Sequence, residues 1–252
     1  MQSLFTAASG LSSQQKRLDT LASNIANVST PGYKSTRVDF KDSLYSTMDN
    51  PVLDNDVENN LLGGCGVNLD ATNIDFRQGI GMDTGIPLDF FIEGDGFFQV
   101  QKENGEVLYT RSGSFKTAAI DDVSYLVTAQ GYFVLDDGGN RIMMPESNTE
   151  FSISDKGSIS TLDGEYGTIG LFRFSNPGGL MPSGDTCYSE TAASGASEND
   201  GNSVIVQGKL ENSNVDLAQE LTLLIRSQRA YSLASRALTT SDDMMGLANN
   251  MH

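Results

Sequence analysis

The chain has 252 residues, a net charge of −17, one His, two Cys and no Trp. The single His is His252, so His-based triads, His general bases and His-rich metal sites are excluded from any folded core. Hydrophobic residues make up 38%, below the usual share of roughly 45–50%, so the length supports a real core with much turn and exposed surface around it.

The ends of the chain are close to neutral, and the acidity falls in the middle. An acidic middle repels nucleic acid and anionic membrane surfaces, so neither is expected as a partner. No apolar run approaches the roughly 20 residues that span a bilayer, so no membrane insertion is expected. Met1 to Gln15 lacks a basic stretch followed by a continuous apolar core, and is not expected to act as a Sec-type signal. Cys65 and Cys187 form no CxxC pair and read as two thiols rather than a metal site.

The first element is a helix. Leu4, Ala7, Leu11, Gln14, Leu18, Leu21, Ile25 and Val28 alternate spacings of three and four, with Gln14 the one break. That spacing is a heptad seam. Pro31 disfavours helical geometry at Thr30 and Gly32 permits a left-handed residue, which predicts a stop near Ser29–Gly32. Residues 46–66 are polar and turn-rich and read as a connector.

The grammar then becomes β. Phe90-Phe91-Ile92, the turn Gly94-Asp95-Gly96 and Phe97–Gln101 are followed by Asn104-Gly105, a strong hairpin signal, and by Val107–Thr110. Tyr125–Thr128 and Tyr132–Leu135 form a second expected hairpin across Gln130-Gly131, closed by the turn Asp136–Asn140. Phe151–Ser154 and Gly157–Ser160 read as paired strands, and Gly167–Phe174 as one further strand. Strands punctuated this regularly imply an antiparallel β-domain. The Ser/Ala/Glu/Asp/Gly tract near 176–203 reads as mobile.

The last element mirrors the first. Leu217, Leu224, Tyr231, Leu238 and Met245 recur every seven residues, and Leu221 and Ile225 widen the seam. Asn214 or Ser213 is the expected cap, with Asp216 and Glu220 favouring the positive end of the helix dipole. About thirty residues at 1.5 Å each give a helix of roughly 45 Å. The expected fold is thus mainly β with α: an antiparallel β-domain inserted between N- and C-terminal helices that pair as a coiled coil. The expected organisation is 1–33 assembly helix and signature turn, 34–88 extended connector, 89–203 β-rich outer domain, and 204–252 return segment and assembly helix.

Candidate chemistry is sparse. Glu93 and Asp95 flank Gly94 and could serve a secreted carbohydrate-binding or glycan-hydrolysing protein; the alternative is a plain tight turn. Asp54, Asp56 and Glu58 alternate as a Ca²⁺ loop begins, but Asn59 and Cys65 stand where the loop needs Gly and Glu. Ser13-Gln14-Gln15-Lys16 has the S-x-x-K spacing of serine acylases but lies inside the seam-bearing helix. The glycines near Gly63–Gly66 lack the ending of a phosphate loop. No catalytic group, metal or cofactor is expected.

Ser23-Asn24-Ile25-Ala26-Asn27-Val28-Ser29-Thr30-Pro31-Gly32-Tyr33-Lys34 closely resembles the signature A-N-N-x-A-N-x-x-T-x-G-[YF]-K of the bacterial flagellar rod, hook and hook-associated axial proteins, with Ser23 in place of the first Asn. Further blocks resemble the family in its order. They are Asp75–Gly79, Ile92–Phe98, Tyr109-Thr110-Arg111-Ser112-Gly113-Ser114-Phe115, Leu126–Tyr132, and Gln207–Asp216 running into Gln228–Tyr231. Length and the start of the chain are similar to the basal-body rod proteins, distal or proximal, rather than the hook. The resemblance implies a non-enzymatic subunit that stacks helically into a torque-transmitting tube, with terminal helices inside and the β-domain outside. It implies as partners copies of itself, other flagellar rod and hook proteins, and the flagellar type III export apparatus. It also implies a location in the basal body outside the cytoplasmic membrane, reached without a cleaved signal. On this reading the assembly surfaces are Leu4, Leu11, Leu18, Leu21 and Ile25 on the first helix, with Leu217, Leu221, Leu224, Tyr231, Leu238 and Met245 on the last. Asn24, Asn27, Thr30, Gly32 and Tyr33 form the signature turn.

Overall fold

A computed structural model describes residues 2–44, 46–47, 62–120, 123–144, 151–154, 156–161 and 164–250. Asp54, Asp56, Glu58, His252 and the side chain of Leu4 lie outside the described residues. The fold is mostly antiparallel β with one long helix near each end of the chain. It divides into two units: Met1–Ala26, Thr36–Ile74 and Asp216–His252 form the first, and Asn27–Ser35 with Asp75–Val215 the second.

The first unit holds α1 (Gln2–Ala26), β1 (Thr36–Asp42), β2 (Ser46–Thr47), β3 (Leu62–Gly63), β4 (Val67–Ile74) and α2 (Leu217–Asn250). The β1 and β4 strands pair antiparallel from Thr36↔Ile74 to Asp42↔Val67, with an irregularity at Asp39/Phe40. One face of α1 packs on α2, and α1 also packs on β1 and β4. Its close approach to β4 is made by serines. The Val67 amide donates to Ser9 Oγ at 3.3 Å, and the Ser13 hydroxyl donates to Val67 O at 3.4 Å. Ser13, candidate of the S-x-x-K spacing, is therefore a buried packing residue, while Lys16 on the same helix is exposed.

In the second unit the strands are β5 (Gly81–Asp83), β6 (Phe90–Glu93), β7 (Phe97–Gln101), β8 (Val107–Thr110), β9 (Phe115–Ile120), β10 (Val123–Thr128), β11 (Phe133–Val134), β12 (Met143–Met144), β13 (Phe151–Ile153), β14 (Ser158–Thr161), β15 (Gly164–Thr168), β16 (Leu171–Arg173), β17 (Met181–Gly184), β18 (Cys187–Ser189), β19 (Glu198–Asn199), β20 (Val204–Gln207) and β21 (Lys209–Glu211). Ten of these form one antiparallel sheet along the path β12-β10-β11-β7-β8-β18-β17, with β9 on β10, β16 on β7 and β19 on β16. The Asn104-Gly105 hairpin forms as expected, with Val100↔Leu108 in register and Gly105 at φ +89°. So do the pairing Ile153↔Ile159 and the turn before β11.

The core lies on Phe90, Ile92, Phe98, Val100, Leu108, Phe115, Leu126, Val134, Ile142, Ile169 and Leu171, all buried. Phe98 and Phe115 meet edge to face at 5.1 Å between ring centroids, the geometry that aromatic quadrupoles favour.

Three readings are corrected. Gly167–Phe174 is not one strand: the chain splits into β15 on β14 and β16 on β7. The break falls at Gly170, where a Cβ would come within 2.9 Å of the Asp136 carbonyl. The α1 helix ends at Ala26, three residues before the expected stop, because Asn27 to Gly32 already form turns. Residues 176–203, expected as a mobile tract, carry a 3₁₀ turn at Pro177–Gly179 and the β17–β18 hairpin. There Cys187 is buried, and desolvation pushes its thiol up to about 11.

Candidate assembly interface

The signature turn lies in the second unit and is built from short polar links. The Thr30 amide donates to Asn27 O at 3.1 Å, the Thr30 hydroxyl to Asn27 Oδ1 at 3.2 Å, and the Tyr33 amide to Thr30 O at 3.3 Å. These bonds close the turns that follow the last helical residue, Ala26. Gly32 sits at φ +71°, and a Cβ there would lie 2.5 Å from the Ser112 nitrogen. Both the conformation and the close approach demand glycine. Its amide donates to Glu211 O at 2.8 Å.

Beside it Lys34 is sealed from solvent. Its Nζ donates to Glu211 Oε1 at 2.6 Å and to Arg77 O at 2.8 Å. The same Oε1 accepts the Gly79 amide at 2.7 Å. Arg111 Nη1 stands 3.7 Å from Glu211 Oε2, while Nη2 donates to Gly94 O at 2.8 Å. The side chains of Lys34, Arg111 and Glu211 are each 1% exposed. Burial pulls both cations below their ordinary range, opposed in each case by the Glu211 carboxylate. One step further along, Asn214 Oδ1 accepts the Ser35 amide at 2.8 Å, and its Nδ2 donates to Asp75 O at 2.7 Å. Asn214 is thus a cross-link between segments, not the cap expected of it.

This cluster also answers for Glu93 and Asp95. Gly94 is at φ +129°, its carbonyl is held by Arg111, and the Gly96 amide donates to Ser203 Oγ at 3.2 Å. The segment is a tight turn pinned on both sides.

In the first unit, Asn24 is 1% exposed on the last turn of α1. Its Oδ1 accepts the Thr36 amide at 3.0 Å and its Nδ2 donates to Thr36 O at 2.9 Å. One side-chain amide thereby pairs both backbone groups of the first residue of β1. Leu21 is 6% exposed, and Leu11, Leu18 and Ile25 are half-buried. The opposite face of α1, with Ser12, Gln15, Lys16, Asp19 and Ser23, is exposed.

The apolar row is distributed differently on α2. The inward row is Leu223, Ser227, Ala230 and Ala234, with Ser227 fully buried. Leu224 and Leu238 are half-buried beside it. Leu217 and Leu221 are 43% exposed and Ile225 51%. At about 100° per residue Leu221 and Ile225 lie nearly opposite the inward row, and Leu217 lies on its flank. Tyr231 and Met245 are partly exposed, and Leu233, Met244 and Leu247 more so. Asp216 caps the helix: its Oδ1 accepts the amides of Ala218 at 2.9 Å and Gln219 at 3.2 Å.

The sequence reading missed Lys34, Arg111 and Glu211 as a group, although each lies in a quoted block. Charge type and block membership were visible; pairing across 177 residues was not.

Three family models match this chain. Flagella basal body rod protein matches residues 4–34, Flagellar hook protein FlgE/F/G D1 domain matches 91–161, and Flagellar basal body rod FlgEFG protein C-terminal matches 206–251. Each matched segment carries one member of the buried ionic cluster. Among curated relatives, the flagellar basal-body rod protein FlgG of Borreliella burgdorferi is 40% identical over 270 residues, covering 100% of this chain and 98% of that protein. The FlgG of Caulobacter vibrioides is 36% identical and that of Bacillus subtilis 34%, each match covering 97% of both chains.

Proposed function

This chain belongs to the flagellar basal-body rod protein family and is a structural subunit of the rod, not an enzyme; from that premise we propose that it polymerises through the apolar residues α2 leaves open. Family membership places it in the flagellum, in assembly with other rod and hook proteins. The carrying observation is the row Leu217, Leu221 and Ile225, exposed on a helix whose other side is packed. Apolar residues spread this widely around one helix are a pattern of burial on more than one side. A row that meets a different surface on the next copy makes a heterologous, non-closing contact, and such contacts grow filaments.

On this reading α1 and α2 pair as a coiled coil inside each copy. The α1 seam is spent within the chain, and the α2 seam recruits neighbours. Regions 1–33 and 204–252 carry assembly, 34–88 connects, and 89–203 forms the acidic outer part of a tube that transmits torque. Export through the flagellar type III apparatus is part of the same reading.

The test is sedimentation and electron microscopy of concentrated protein. Leu221→Asp with Ile225→Asp should abolish polymer while the monomer keeps its helix content by circular dichroism. Parent-like polymer from that double variant sinks the reading.

A further inference from the structure

We propose that Lys34 is a positioning residue for polymerisation, acting through Glu211 to lock the chain that leaves α1 to the chain that enters α2. This rests on the assembly reading above and adds a second requirement to it. Lys34 follows the end of α1 by eight residues, and Glu211 precedes the start of α2 by six. The two segments are joined three times over: Lys34 Nζ to Glu211 Oε1, the Gly32 amide to Glu211 O, and the Ser35 amide to Asn214 Oδ1. Glu211 is also tied to the Gly79 amide, and Asn214 to Asp75 O and Arg77 O. Glycines line the joint on both sides. A Cβ on Gly32 would meet Ser112, and one on Gly79 would meet the Asn212 carbonyl. A joint packed to the backbone on two faces has no slack for the segments to shift.

Charge balance alone does not explain Lys34. The buried group holds two cations, Lys34 and Arg111, and one anion, Glu211. Removing the Lys34 charge leaves the Glu211 carboxylate still facing Arg111 and the Gly79 amide, so the loss of a buried charge-assisted bond weakens the fold without leaving an isolated buried charge. Removal does delete the one side chain that reaches from the signature turn to both Glu211 and the Arg77 carbonyl. The two roles therefore separate when assembly is measured well below the melt of the variant.

The full chain carrying Lys34→Met is compared with the parent by thermal melting and by the critical concentration for polymer in sedimentation. The expected result is a cooperative melt lowered by no more than about 12 °C, with a critical concentration raised about tenfold or more at a temperature where the variant is fully folded. A critical concentration equal to the parent's overturns the proposal. Should Lys34→Met fail to fold, Asn214→Ala tests the same joint without touching the ionic cluster. It is expected to melt several degrees below the parent, to stay folded at the assay temperature and to polymerise poorly, and parent-like polymerisation of Asn214→Ala overturns the proposal. The Leu221→Asp/Ile225→Asp variant separates the two claims. If it polymerises, the assembly reading fails; if only it is blocked while Lys34→Met assembles, the clamp alone fails.

Discussion

The helices α1 and α2 carry the same seven-residue apolar spacing and meet different fates. In α1 the row is buried at Leu21 and half-buried at Leu11, Leu18 and Ile25, because the helix packs on α2 and on the β1–β4 ribbon. In α2 the row begins exposed at Leu217 and reaches half-burial only at Leu224 and Leu238. The geometry of a straight helix accounts for the walk: a strict heptad drifts about 20° per repeat. From Leu217 to Leu238 the row turns gradually towards the face that Ser227, Ala230 and Ala234 present to α1. Small residues make that face, so the helices approach closely while the larger apolar side chains are left over. A heptad pattern states that a face will be covered. It does not state whether the cover comes from the same chain.

The sharpest way to break this comparison is a matched pair of truncations in dilute, monomeric protein. Leu21→Ala removes a buried side chain and should cost about 2–5 kcal/mol, read from urea unfolding followed by far-UV circular dichroism. Leu221→Ala touches an open position and should stay within about 0.5 kcal/mol of the parent. Equal effects would mean that α2 is covered in the monomer as fully as α1.

A smaller effect tests why α1 is so well held at its end. Asn24→Ala strips the partner from both backbone groups of Thr36 and should cost about 1–3 kcal/mol. Amide exchange at Thr36 is the direct readout and should accelerate, while exchange at the Leu108 amide in the β8 strand should not. An unchanged Thr36 rate would show that the β1 strand does not depend on the α1 amide.

Local signals were the legible ones. Asn104-Gly105 announced its hairpin because Gly105 takes the positive φ that closes it, and Gly32 announced a positive φ that it has. The β-rich centre and both helices were readable from periodicity. What sequence could not supply was partnership at a distance. Lys34, Arg111 and Glu211 are ordinary charged residues until the fold brings 34 and 211 to 2.6 Å. Gly170 looked like one more residue in a strand until Asp136 blocked its path. Asn214 and Asp216 both suit a helix start, and only the fold decides that Asp216 caps while Asn214 ties segments together.

That last choice gives the finest test of the difference between the helices. The first turn of α2 exposes Leu217 and Leu221, so it has little tertiary packing to hold it. Its amides at Ala218 and Gln219 rely on Asp216 Oδ1. Asp216→Ala should therefore cost about 1 kcal/mol and speed exchange at those two amides, leaving Thr36 at the α1 end unchanged. Asp216→Asn keeps the acceptor and loses only the charge at the positive end of the dipole, worth about 0.3–1 kcal/mol, so exchange should rise less. If Asp216→Ala leaves Ala218 and Gln219 protected in the monomer, the start of α2 is held by packing after all. Leu217 and Leu221 would then belong to the chain's own core and not to its surface for other copies.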